Sequence, residues 1–260
     1  MIKKILLSIC ALLSLFGARA QALPLLDIDL QLGMVMRAPA GTLQAGGGGL
    51  TPTTVNLKDD LNLGDHSDLA GRLKVKHGIP VLPNFYVHYL PMSFVGDKAV
   101  TSINYGGQTF TGTLHSELTM NATDIGLFYN VPFVKTATAG IIDPEIGLNA
   151  RLLSFSGKLT GTVGGVPNTT QDKNASIPVP MVYLGLGIYP INLISLNAQI
   201  KALSIGGNSI TEWGVEAGVH PIPVLYVAVG YSSQKMVIDS SDIKADIGFS
   251  GPYLALGASF

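Results

Sequence analysis

The sequence has a single cysteine, Cys10, and no apolar run after residue 20 long enough to make a membrane helix. Cys10 lies in an apolar stretch, residues 5–16, that follows Lys3 and Lys4 and precedes Gly17, Ala18, Arg19 and Ala20. A basic start, a short apolar core and an Ala-x-Ala site at Ala18 and Ala20 predict a secretory signal peptide over residues 1–20, cut after Ala20. The run is too short for an anchoring helix, and Cys10 is too deep in it to be a lipoprotein cysteine. Residues 21–260 then contain no thiol, which excludes disulfides, thiolate metal sites and cysteine nucleophiles. Removing Lys3, Lys4 and Arg19 lowers the 16 basic residues to 13 against 17 acidic ones, moving the formal charge from −1 to −4. No basic patch points to nucleic acid. The histidines at 66, 77, 88, 115 and 220 lack metal-ligand spacing. The glycine run at residues 46–49 lacks the Lys-Ser/Thr of a phosphate loop. No cofactor is expected.

What is present is apolar character, 47% of residues, with only 13% charged. That much apolar surface without a membrane helix is consistent if apolar residues recur at every second position. A closed barrel shows lipid alternate side chains and satisfies its backbone without helices. The alternation is nearly strict over residues 26–36, with Leu26, Ile28, Leu30, Leu32 and Met34 opposing Asp27, Asp29, Gln31 and Gly33. Residues 38–67, glycine-rich and without that period, read as the largest loop.

Further strands are predicted over residues 68–77, 85–105, 109–131, 140–160, 177–189, 194–205, 210–220 and 225–238, with a last one ending at residue 260. In residues 109–131 the apolar set shifts from Leu114, Leu118, Met120 and Ala122 to Ile125, Leu127 and Tyr129, which predicts a β-bulge near Asp124. Residues 161–175 read as a second polar loop. Pro80, Pro132, Pro190 and Pro221 mark one set of turns, and glycine-rich or polar connections mark the other. The expectation is an all-β fold: a transmembrane, antiparallel, up-and-down barrel of about ten strands, with eight or twelve as alternatives, over residues 21–260. Strands of about 22 residues climb roughly twice a 25 Å apolar band, so the third to fifth should project beyond the membrane.

The final stretch places Leu254, Leu256, Ala258 and Phe260 opposite Tyr253, Ala255, Gly257 and Ser259. It resembles the closing strand of bacterial outer-membrane β-barrels. That resemblance implies an insertion signal at Tyr253, Leu254, Leu256, Ala258 and Phe260, read by barrel-insertion machinery and periplasmic chaperones. It also implies residence in the outer membrane among lipid and lipopolysaccharide, as a monomer. Size, Gly-Gly turns and the terminal Phe are similar to an uncharacterised outer-membrane family named for a Gly-Gly feature.

Parity assigns Asp27, Asp29, Arg72, Lys74, Lys76, His88, Glu117, Glu145, Arg151, Lys201, Glu212 and Glu216 to the lumen. A ten-strand lumen is narrow. Opposed charges there should pair, since an unpaired buried charge costs several kcal/mol. The expectation is a polar plug and a structural or surface-interaction role. The first alternative is a narrow passive channel in which the basic residues at 72–76 face a carboxylate wall at 212 and 216. The second is an envelope enzyme of omptin or acyl-transfer type. Asp65 and His66 invite comparison with the omptin proteases, which have ten strands and extracellular Asp and His residues, but no second acidic pair accompanies them.

Overall fold

A computed structural model describes residues 26–260 except residues 80 and 242. The signal peptide with Ala18 and Ala20, and the turn residue Pro80, lie outside the described residues. The chain forms β1 (Leu26–Ala45), β2 (Val55–Asn56), β3 (His66–His77), β4 (Asn84–Leu90), β5 (Ser93–Tyr105) and β6 (Gln108–Asn130), then one helical turn, α1 (Val134–Ala137). There follow β7 (Ile142–Val163), β8 (Val166–Ile191), β9 (Ile194–Ile205), β10 (Asn208–Ile222), β11 (Leu225–Asp239) and β12 (Ile243–Ser259). Neighbours pair antiparallel in chain order. β12 pairs back onto β1 from Asp29 opposite Ser259 to Ala45 opposite Ile243, which closes the barrel. β4 and β5 both pair with β6, as one stave interrupted at Pro91 and Met92. With β2 a two-residue adjunct of β1, the barrel has ten staves.

Every second side chain points outward, but the chemistry of the two faces exchanges part-way up. On the lower part of β7, Ile146, Leu148 and Leu152 are exposed while Asp143, Glu145, Asn149 and Arg151 are buried. Higher on the same strand, Leu153 and Leu159 are buried, and Ser154, Lys158 and Thr160 lie on the outer face. β6 behaves alike: Phe128 and Asp124 point in below, as do Met120, Leu118, Leu114 and Phe110 above. Its parity never changes, and its pairing with β7 is unbroken from His115 to Asn130. The β-bulge expected near Asp124 is therefore absent. What changes at Asp124 is the medium outside, lipid below and water above, and the apolar set moves to whichever face is dry.

The same exchange explains two segments expected to be loops. β1 continues to Ala45, with Leu43 and Ala45 buried. β7 and β8 form one long hairpin through residues 161–175, turning only at Gly164 and Gly165. At about 3.3 Å per residue and the usual tilt, the 23 residues of β6 rise roughly 55 Å. The upper barrel therefore stands well clear of a membrane. Gly106 and Gly107, Gly164 and Gly165, and Gly206 and Gly207 all have positive φ, 57° to 86°, as tight two-residue hairpins require.

Above β3 the wall is completed by residues 46–65. Leu57 N–H donates to the Gly41 carbonyl at 3.0 Å, Thr53 N–H to that of Asn104 at 3.0 Å, and Gly64 N–H to that of Val95 at 3.3 Å. Val55, Leu57, Leu61 and Leu63 are buried against β1 and β5 in the apolar interior. Gly96 makes this possible, because a Cβ there would sit 2.2 Å from the Leu61 carbonyl oxygen and 2.5 Å from that of Asn62. Gly96→Val is expected to lift residues 57–63 out of the barrel mouth while the lower staves stay paired. The readout is faster proteolytic cutting within residues 46–65 of the folded variant, with an unchanged cutting rate counting against this packing.

Candidate functional site

The lower lumen is filled by ion pairs drawn from opposite walls. β3 presents Arg72, Lys74 and Lys76, because alternate residues of a strand share a face. Lys76 meets Asp143 at 2.9 Å and Glu145 at 2.9 Å, and Lys74 meets Glu145 at 2.6 Å. The Tyr183 hydroxyl also donates to Glu145, at 2.7 Å. Arg72 lies 3.6 Å from Asp29 and 3.7 Å from Glu216. Gln31 and the Tyr253 hydroxyl donate to Glu216 at 2.7 and 3.0 Å. Higher in the lumen, Arg151 grips Asp124 through two bonds of 2.7 Å and also meets Glu212. Lys201 spans the same carboxylates at 2.7 and 3.1 Å. Arg151 and Asp124 are fully buried, so each neutralises a charge whose solvation the fold has removed.

Over this charge network sits an apolar cap. Phe94, Phe110, Leu114, Met120 and Phe249 have 1% exposure or less, and the Phe94 and Phe249 rings stack 5.2 Å apart. Paired charge thus occupies the lower lumen and packed apolar side chains the part above it. Beneath the network a vestibule of about 690 Å³ is lined by Asp27, Asp29, Arg72, Lys74, Lys76 and Tyr226, among others. His220 stands in it, its Nε2 3.0 Å from Ser195 Oγ.

Most of the residues expected in the lumen face it, but Glu117 does not. It stands on the outer, water-exposed face of β6, bonded to Lys158 at 2.9 Å and 3.5 Å from His115. The lysine hydrogen bond holds its carboxyl below the usual range. In the upper barrel the polar residues of the strand face out and the apolar ones in, opposite to the sense expected from parity. Asp27 lines the vestibule mouth and forms no ion pair among the described residues. His88 lies inward, its ring within 4.8 Å of Asp124 and Glu212 ligand atoms. Those carboxylates already hold Arg151 and Lys201, so a metal ion would have to displace two cations. Asp65 and His66 turn to different partners, Lys58 at 3.3 Å and Asp68 at 3.7 Å.

Sequence reasoning missed Asp124, Asp143 and Arg37. The signal for Asp143 was available, since it shares parity with Glu145 and Arg151. Asp124 was hidden by the supposed bulge, and Arg37 fell between the expected end of the first strand at residue 36 and the expected loop from residue 38.

No protein-family model and no curated protein matches the chain. Solved structures do. The outer membrane protease OmpT of Escherichia coli superposes with a TM-score of 0.55 at 10% identity, over 91% of this chain and 97% of that one. The translocator domain of the autotransporter NalP of Neisseria meningitidis gives 0.41 at 13% identity, over 97% and 98%. The Yersinia pestis attachment invasion locus protein Ail gives 0.37 at 9% identity, over 90% and 99%. The chain has the fold of a bacterial outer-membrane β-barrel.

Proposed function

We propose that this barrel is an integral outer-membrane protein with a structural or surface-interaction role, rather than a pore or an enzyme. The observation that carries the reading is the doubly blocked lumen: the Asp124–Arg151–Glu212–Lys201 cluster with the apolar cap of Phe94, Phe110 and Phe249 above it. A solute would have to break several buried ion pairs and then part a close-packed core, at a cost of several kcal/mol for each charge left alone. What remains accessible from outside is the raised upper cylinder. Its outer face carries both signs, paired as Lys158 with Glu117, Lys235 with Asp246 at 3.2 Å and Lys244 with Asp239 at 3.2 Å. Such a surface suits contact with lipopolysaccharide headgroups and other polar partners. The apolar belt below it suits acyl chains, after delivery by the barrel-insertion machinery and periplasmic chaperones. The resemblance to the protease supports a shared fold and brings no chemistry with it at 10% identity.

Planar-bilayer recording separates this role from the passive channel. The folded protein is expected to give no steady openings. Reproducible openings that change on Lys74→Ala or Glu216→Gln would overturn the plugged reading.

A further inference from the structure

Between the buried ion cluster and the apolar cap lies a second, much smaller cavity of about 40 Å³, lined by Arg37, Arg72, His88, Glu212, Gln234 and Phe249, among others. Three of these side chains carry a buried polar atom, Arg72 Nε, His88 Nδ1 and Gln234 Nε2, that has no hydrogen-bond partner among the described residues. The Gln234 amide has its orientation set from the other end, since its Oε1 accepts from Arg151 Nη1 at 3.1 Å. Its NH₂ is therefore the group left over, and the residue is 5% exposed. A guanidinium Nε–H and an amide NH₂ can only donate, and a neutral imidazole can place its proton on Nδ1.

The fourth feature is Arg37. It is 5% exposed, yet its side chain forms no ion pair among the described residues, its hydrogen bond going to the Pro91 carbonyl oxygen at 3.1 Å. Asp68 and Glu212 act on it only from a distance. Both Glu212 oxygens are already engaged, one by Lys201 and one by Arg151. A buried guanidinium whose hydrogen bond goes to a neutral carbonyl is an electrostatic deficit, and the residues lining the cavity beside it carry three unpartnered nitrogens, Arg72 Nε, His88 Nδ1 and Gln234 Nε2.

We propose that this cavity is a binding site for one small inorganic anion of halide size, held by Arg37, Arg72 Nε and Gln234 Nε2. The space suits it, being room for about three waters or one such ion with a water. Arg72, Gln199, Gly214 and Tyr253 line both this cavity and the vestibule below, so these residues form the partition an ion from the vestibule has to pass. The anion supplies the acceptor that all these donors lack and the charge that Arg37 lacks.

The test uses the full folded barrel, prepared without chloride and given sodium bromide. Anomalous diffraction should place bromide between Arg37, Arg72 and Gln234, and the urea midpoint should rise with bromide to a plateau relative to gluconate at equal ionic strength. Gln234→Leu removes the amide donor while keeping both guanidinium groups, and should lose both the peak and the shift. Arg37→Gln should do the same, and if it does not fold, the Gln234 variant carries the test alone. Cavity density without anomalous signal, or a midpoint indifferent to bromide, overturns the site and leaves water as the occupant.

Discussion

Replacing Arg151 with methionine is expected to destabilise the folded barrel by about 3–5 kcal/mol, read as a lower urea midpoint with an unchanged slope in detergent micelles or vesicles. Arg151 is fully buried and donates to Asp124, Glu212 and Gln234. Methionine fills part of the volume but leaves two carboxylates sharing Lys201 alone. Breaking one side of a buried network costs more than its net contribution, because the stranded charges remain desolvated. A double variant, Arg151→Met with Glu212→Gln, removes one charge of each sign and should recover part of the loss. If the single variant were as stable as the parent, the cluster would have to be hydrated and the lumen could not be blocked at that level.

This cluster also marks how far local pattern reaches. The period of two is visible in the sequence almost everywhere, and it places Arg72, Lys74 and Lys76 on one face without any knowledge of the fold. It does not say which face is dry. Where lipid surrounds the barrel, apolar means outward, as for Ile146 and Leu148. Where water surrounds it, apolar means inward, as for Leu118 and Met120. A single rule applied to both zones turns Glu117 inward and needs a bulge at Asp124 to repair the phase. It also dissolves the 161–175 hairpin into a loop, because a strand with water outside and modest apolar content inside carries little contrast. Partner choice is less legible still. Lys74 finds Glu145 and Arg72 finds Glu216 across a closed ring, and that pairing depends on strand number and stagger, which no local window contains.

The exchange of faces makes its own measurable demand on Phe110. Phe110→Ala is expected to cost about 3–5 kcal/mol, because its ring is wholly buried and its loss leaves a cavity in a packed core. Leu148→Ala, at a position 69% exposed on the outer face, should cost much less, since acyl chains or detergent can fill the space left. In an open barrel with a water-filled upper lumen the order would reverse: an inward residue would touch water and the lipid-facing leucine would matter more. Urea unfolding of the two variants in parallel decides between these arrangements. A loss at residue 110 no larger than that at residue 148 would show that the upper cylinder holds no dry core. The apolar half of the lumen's closure would then be gone, leaving the ion cluster to block the path by itself.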